Sequence, residues 1–163
     1  MRRGALTFFL LLLIAPVVRP QGAPPAEAVE QQVVARTNQF RQQNSLPPLV
    51  PSSALRTAAR THSEEMAKMG YFEHESPVAA RRYPWDRVAL AGADADSIAE
   101  NIFEAVGAPM SEVAAVAERT WENSAEHRAN MLDATKTHVG VGVFISGKHI
   151  FVTQVLSSPV TDR

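Results

Sequence analysis

The 163-residue chain carries 16 Lys and Arg against 17 Asp and Glu, a formal charge of −1, with 45% hydrophobic residues and no cysteine. Without a clustered basic excess it lacks the electrostatic footprint of a nucleic-acid binder. Without cysteine it can hold no disulfide framework, no thiolate nucleophile and no Cys-based zinc site.

Arg2 and Arg3 open the chain, and an apolar run from Phe8 to Ala15, extended by Val17 and Val18, follows them. The run is shorter than the about 20 residues that a membrane-spanning helix needs. It ends at Pro16 and Pro20, ahead of an Ala-x-Ala pattern at Ala26 and Ala28. A basic start, a short apolar core and small residues are the layout of a secretory signal peptide. Cleavage is expected between Ala23 and Ala28; the alternative is an uncleaved signal anchor. Residues 1–28 are therefore read as signal peptide and Pro-rich linker, 29–158 as one folded domain and 159–163 as a short tail. Without residues 1–28, thirteen basic side chains face sixteen acidic ones. A secreted or periplasmic bacterial protein, monomeric and without a stable membrane anchor, is expected, and such a domain can bury a core without covalent staples.

The first helix is predicted over Ala28 to Gln43, with Val29, Val33 and Phe40 on its apolar face, and Asn44-Ser45 and Pro47-Pro48 stop it. The second has the clearest periodicity. Leu55, Ala58, Ala59, His62, Met66 and Met69 recur at helical spacing between Ser52 as N-cap and Gly70 at the exit, so His62 faces inward. A short helix is predicted from Pro84 to Gly92, packed down by Trp85 and Val88. A strand follows around Ile98, Ile102 and Phe103. Ser111 is expected to cap a fourth helix bearing Val113, Val116, Ala117, Thr120 and Trp121, and Ser124 a fifth through Leu132 with His127 in its first turn. The last third reads as a hairpin, His138 to Ser146 and His149 to Leu156, turning at Gly147-Lys148. Both strand faces are partly apolar, so helices must cover both. The expected fold class is α+β, a three-layer α-β-α sandwich with a C-terminal antiparallel hairpin.

Several familiar motifs are absent. His74-Glu75 begins like His-Glu-x-x-His, but Val78 stands at the fifth position. Gly140-Val141-Gly142 begins like a dinucleotide loop, but it lies inside a strand and Ile145 replaces the third Gly. No Gly-x-Ser-x-Gly elbow or phosphate-binding loop occurs.

What remains is a distributed set: Tyr71-Phe72-Glu73-His74-Glu75-Ser76-Pro77, Glu100-Asn101-Ile102, Trp121 through His127-Arg128-Ala129-Asn130-Met131-Leu132, Gly140-Val141-Gly142-Val143 and Val152-Thr153-Gln154-Val155. In this order the segments resemble the CAP superfamily, also called SCP-like, of cysteine-rich secretory, antigen-five and pathogenesis-related proteins, and most closely its cysteine-free bacterial branch. The resemblance runs from about Val29 to Leu156. It implies an α-β-α sandwich with a large cleft lined by two His and two acidic residues. Three positions match, His74, Glu100 and His127; the fourth slot, three residues after Trp121, holds Ser124.

His74, Glu100, Ser124 and His127 are thus the candidate ligand-binding cleft, and His74 and His127 the candidate metal ligands. Two imidazoles can hold zinc or another divalent ion, weakly, while a carboxylate completes or orients the set. Against this stands the plainer reading of hydrogen-bonded cleft histidines without metal. His62 is expected in the core or on the cleft floor, His138 and His149 exposed, Arg128 and Asn130 as loop anchors, and Trp121, Trp85 and Phe72 in the core. The expected function is a binding module for a small amphipathic or peptide-like ligand or cell-envelope component, with no catalytic residue assigned. The alternative is a hydrolase in which His74 or His127 acts as base on Ser76, Ser124 or water.

Overall fold

The computed structural model describes residues 25–162; the apolar N-terminal run and the cleavage region up to residue 24 lie outside them. Helix α1 (Pro25–Gln43) begins three residues before the predicted start, so part of the expected linker is helical. A two-residue strand β1 (Val50–Pro51) leads into α2 (Ser53–Met69). Ser52 caps α2 by accepting the Leu55 N–H, and Gly70 ends it at φ 71°, in the left-handed region that glycine adopts at no steric cost. A single 3-10 turn (Ala79–Arg81), α3 (Pro84–Leu90), β2 (Ala93–Asp94) and β3 (Ile98–Val106) follow. Then come α4 (Met110–Asn123), α5 (Ala125–Leu132), β4 (His138–Ser146), β5 (His149–Ser157) and β6 (Thr161–Asp162). β6 pairs with β2, so the expected tail takes part in a small second sheet.

The main sheet has the order β1-β4-β5-β3, antiparallel apart from the parallel β1-β4 pair. Side chains alternate across it. Val139, Val141, Val143, Ile150, Val152 and Leu156 pack with Val29, Val33, Val113, Ala117, Trp121 and Met131 from α1, α4 and α5. On the opposite face Val155 meets Leu55, Ala58, Ala59 and Val88, while Ile102 and Phe151 meet Met66. Helices cover both faces, and the α-β-α architecture is the one expected from the two-sided apolar strands.

Gly140 and Gly142 explain why the apparent dinucleotide motif lies in a strand. A Cβ on either would stand 2.2 Å from Arg56 N and 2.1 Å from Arg60 N respectively, so the backbone of α2 rests directly on β4. Four helical residues rise about 6 Å and two strand residues about 6.8 Å. The two glycines therefore meet successive turns of one helix. Ser63, one turn further, donates to the Gly142 carbonyl at 2.9 Å.

Some side chains depart from the predicted packing. Trp85 is 56% exposed and stacks on Tyr83, while Met69 and Phe72 are 52% and 41% exposed. α3 is held instead by Val88 and the buried Arg87. Pro109, not Ser111, occupies the N-cap of α4, and Thr120 faces solvent. The inward stripe of α1 continues beyond Val29 and Val33 to the polar Thr37 and Arg41, both fully buried. Arg41 satisfies its burial by donating to the carbonyls of Pro47, Met131, Asp133 and Lys136, tying α1 to the end of α5. No helix among the described residues is long and apolar enough to cross a membrane.

Candidate functional site

β3 is an edge strand, and its even-numbered residues face the α2 side of the sheet. Glu100 lies there, 6% exposed, and a buried carboxylate needs partners. Its Oε1 accepts from His74 Nδ1 at 3.0 Å and stands 3.7 Å from His62 Nε2; its Oε2 accepts from Arg87 Nη2 at 2.7 Å. Burial alone would raise the Glu100 pKa, but the His74 hydrogen bond and the Arg87 charge outweigh it and hold the carboxyl below its ordinary range.

Arg87 organises more than the acid. Its Nη1 donates to the carbonyls of Arg81 and Arg82 at 3.1 Å each, and its Nη2 also reaches the His74 carbonyl at 3.2 Å. One guanidinium thus fixes both Glu100 and the segment that delivers His74. Glu65 of α2 fixes the same segment from the other side, accepting from Tyr71 Oη at 2.7 Å, from Ser76 Oγ and from Arg81 Nε. Burial together with the bond to Glu65 pushes the Tyr71 pKa up to about 12.

The imidazoles differ in environment. His62 is fully buried; its Nε2 bonds the Glu73 carbonyl at 3.0 Å, which makes that nitrogen the donor. Burial lowers its pKa, and the ring faces inward, as its helical position requires. His74 keeps 47% of its side chain exposed, and the hydrogen bond to Glu100 raises its pKa. With Nδ1–H directed at Glu100, its Nε2 is the free nitrogen. His127 sits in the first turn of α5, its pKa lowered by burial and then by the His74 charge, with a buried, unpartnered Nδ1. Asn101 Nδ2 donates to the His127 carbonyl at 3.3 Å, and Asn130 donates to Asn101 Oδ1 at 2.9 Å and the Glu100 carbonyl at 3.4 Å. These amides moor α5 to β3 beside Glu100.

The structure therefore links His74 and Glu100 directly and couples His127 to them through charge and through β3. Ser124 stands at the α4-α5 junction, where its carbonyl accepts the Arg128 N–H at 2.9 Å while its hydroxyl forms no cap. The Ser76 hydroxyl is buried and engaged by Glu65 and by the Val78 N–H. Arg87 and Glu65 escaped the sequence reading because each partner comes from another element. Their only local sign is a charged residue at a core-facing helical position, which requires a counter-charge. The metal expectation meets a limit in this geometry. Both Glu100 oxygens already accept hydrogen bonds, and no group of three or more His, Cys, Asp or Glu among the described residues is placed to hold an ion. The donor set does not fit a closed metal site.

The fold is a cysteine-free α-β-α domain with a His/Glu cluster at the edge of its sheet. The chain belongs to the cysteine-rich secretory protein family, CAP, whose family model matches residues 34–156. Among curated proteins it is similar to the uncharacterized protein YkwD of Bacillus subtilis, 37% identical over 120 residues, which is 74% of this chain and 44% of that protein. Among solved structures it resembles an extracellular SCP-domain protein of Bacillus anthracis, at TM-score 0.69 and 30% identity over 82% of this chain and 41% of the other. A cysteine-rich secretory protein of Staphylococcus aureus shares the fold at TM-score 0.62 and 15% identity, covering 88% of this chain and 41% of its own. The chain thus spans less than half the length of these relatives.

Proposed function

We propose that the protein is an exported binding module whose cleft, between the Tyr71–Pro77 segment and α5, takes the polar group of a small amphipathic or peptide-like ligand. One observation carries the reading: His74 is pinned through Nδ1 by a buried, charge-compensated Glu100 while its side chain stays 47% exposed. With its raised pKa, His74 offers a charge-assisted donor to an acceptor such as a carboxylate. Export is supported by the basic and apolar N-terminal layout and by the extracellular SCP-domain relative. Titration of the 15N-labelled protein with decanoate and with a capped tripeptide tests the cleft. Perturbations centred on His74 and His127, weakening as pH rises and lost in His74→Ala, are expected. Shifts centred elsewhere, or undiminished binding by His74→Ala, overturn the proposal.

A hydrolase is the second reading, favoured by the same Glu100-His74 hydrogen bond, since a carboxylate that orients an imidazole presents it as a base. Ser124 or water is then the nucleophile, because Ser76 is buried on Glu65. Turnover of an ester and peptide panel that disappears in both His74→Ala and His127→Ala would displace the binding reading.

A further inference from the structure

Far from the His/Glu cluster in the sheet order, the opposite edge is formed by β4, and β1 covers only His138 and Val139 of it. The ladder stops there for a definite reason. The Ser52 N–H still donates to the Val139 carbonyl at 2.9 Å, but the Ser52 carbonyl turns into α2 and accepts the Arg56 N–H at 3.0 Å. The carbonyls of Thr137 and Val139 and the amide of Val143 all point outward on this edge, the last accepted by Glu30 Oε1 at 3.1 Å. By the two-residue repeat of a strand, the main-chain N–H and C=O of Val141 point outward between them. Among the described residues neither group has a partner on that side. Val141 is only 2% exposed, and buried main-chain groups are ordinarily paired.

These groups open onto a groove of about 430 Å³ between α1 and α2, lined by Val34, Ala35, Pro51, Arg56, Val139 and Val141 among others. Its charges are already balanced, Glu30 with Arg60 at 2.6 Å and Glu27 with Arg56 at 3.7 Å. An occupant that brings main-chain donors and acceptors but no charge complements this surface. The Glu30 carboxylate already stands where the carbonyl of a further strand would be.

We propose that the β4 edge between α1 and α2 is a second binding site, which takes a short, uncharged, extended stretch of polypeptide whose main chain pairs with Val141. Strand addition of this kind draws affinity from main-chain hydrogen bonds and selectivity from alternate side chains. About four extended residues, roughly 13 Å, span the edge from Val139 to Val143.

The test uses a library of acetylated and amidated pentapeptides rich in Val, Ile, Thr and Tyr, added to the 15N-labelled protein. The tightest binder is expected to slow exchange of the Val141 amide at least tenfold. Methylating its backbone nitrogens one at a time should weaken binding at least tenfold at alternate positions and little at those between. Ala35→Arg, at the exposed rim of the groove, should weaken binding to the same degree while leaving the His74 resonances in place. A library without a binder at millimolar concentration overturns the site. So does binding indifferent to methylation, the signature of an apolar tail in the groove, or a binder whose shifts cluster at His74 and His127.

Discussion

Glu118 of α4 is 3% exposed, faces α1, and has a buried Oε1 with no partner. Burial raises its pKa to about 8, with Thr37 opposing and Glu122 reinforcing the shift. The local hydrogen count agrees with a neutral acid. Thr37 Oγ1 lies 3.0 Å from the Val33 carbonyl and 3.2 Å from Glu118 Oε2, yet a hydroxyl has one hydrogen to give. A protonated Glu118 resolves the conflict by donating to Thr37, which donates to Val33 and accepts from Gln154 Nε2 at 2.8 Å. Because the folded pKa lies above the unfolded one, Glu118's contribution to stability is complete below about pH 4.5 and is lost as pH rises toward 8. A shift from 4.5 to about 8 corresponds to on the order of 5 kcal/mol at about 1.4 kcal/mol per unit. Glu118→Gln keeps the neutral shape and removes the ionisation. Urea denaturation at pH 5 and pH 8.5 should find the two proteins within about 1 kcal/mol at the lower pH. At the higher pH the variant should be more stable by several kcal/mol. An equal difference at both pH values would refute the neutral, buried acid.

Removing Arg87 should be costly, because it leaves Glu100 charged and buried: Arg87→Met is expected to lose about 3–5 kcal/mol in chemical denaturation, and adding Glu100→Gln should restore part of the loss. Gly142→Ala drives a Cβ into the α2 backbone and should cost about 3 kcal/mol or more, with a lowered melting temperature as readout. His74 should titrate in NMR above its ordinary 6.5, and Glu100→Gln should lower that value. The folded pKa of His74 is raised, so its contribution is present at low pH and declines as pH rises through that value; the Gln variant should flatten this part of the stability profile. Zinc at 100 μM should leave the melting temperature unchanged. A rise of several degrees would require a dissociation constant far below that concentration and would show that the imidazoles rearrange to hold an ion.

Much of the fold was legible because its signals are local. Ser52 and Gly70 bracket α2 through their own backbone preferences, and Gly147, at φ 60°, adopts the turn between β4 and β5 that its position in the sequence demands. Apolar residues on both faces of the last two strands require a layer of helices on each side. Family-like spacing picked out His74, Glu100 and His127, and the first two do meet. Other features depend on contacts made across the chain, to which periodicity is blind. Trp85 and Arg87 share one short helix, and only the position of Glu100 on a strand 13 residues away decides that the arginine is buried and the tryptophan exposed. Thr37, Gln154 and Glu118 are ordinary polar residues until α1, β5 and α4 bring them together in a buried layer. The sequence alone determined the five helices, the three long strands, the layering and the identity of the histidines, since helix caps, turns and apolar repeats act within a few residues. The protonation of those histidines, the engagement of Ser76 and the bare main chain of Val141 were decided only by tertiary structure, because burial and charge depend on neighbours distant in sequence.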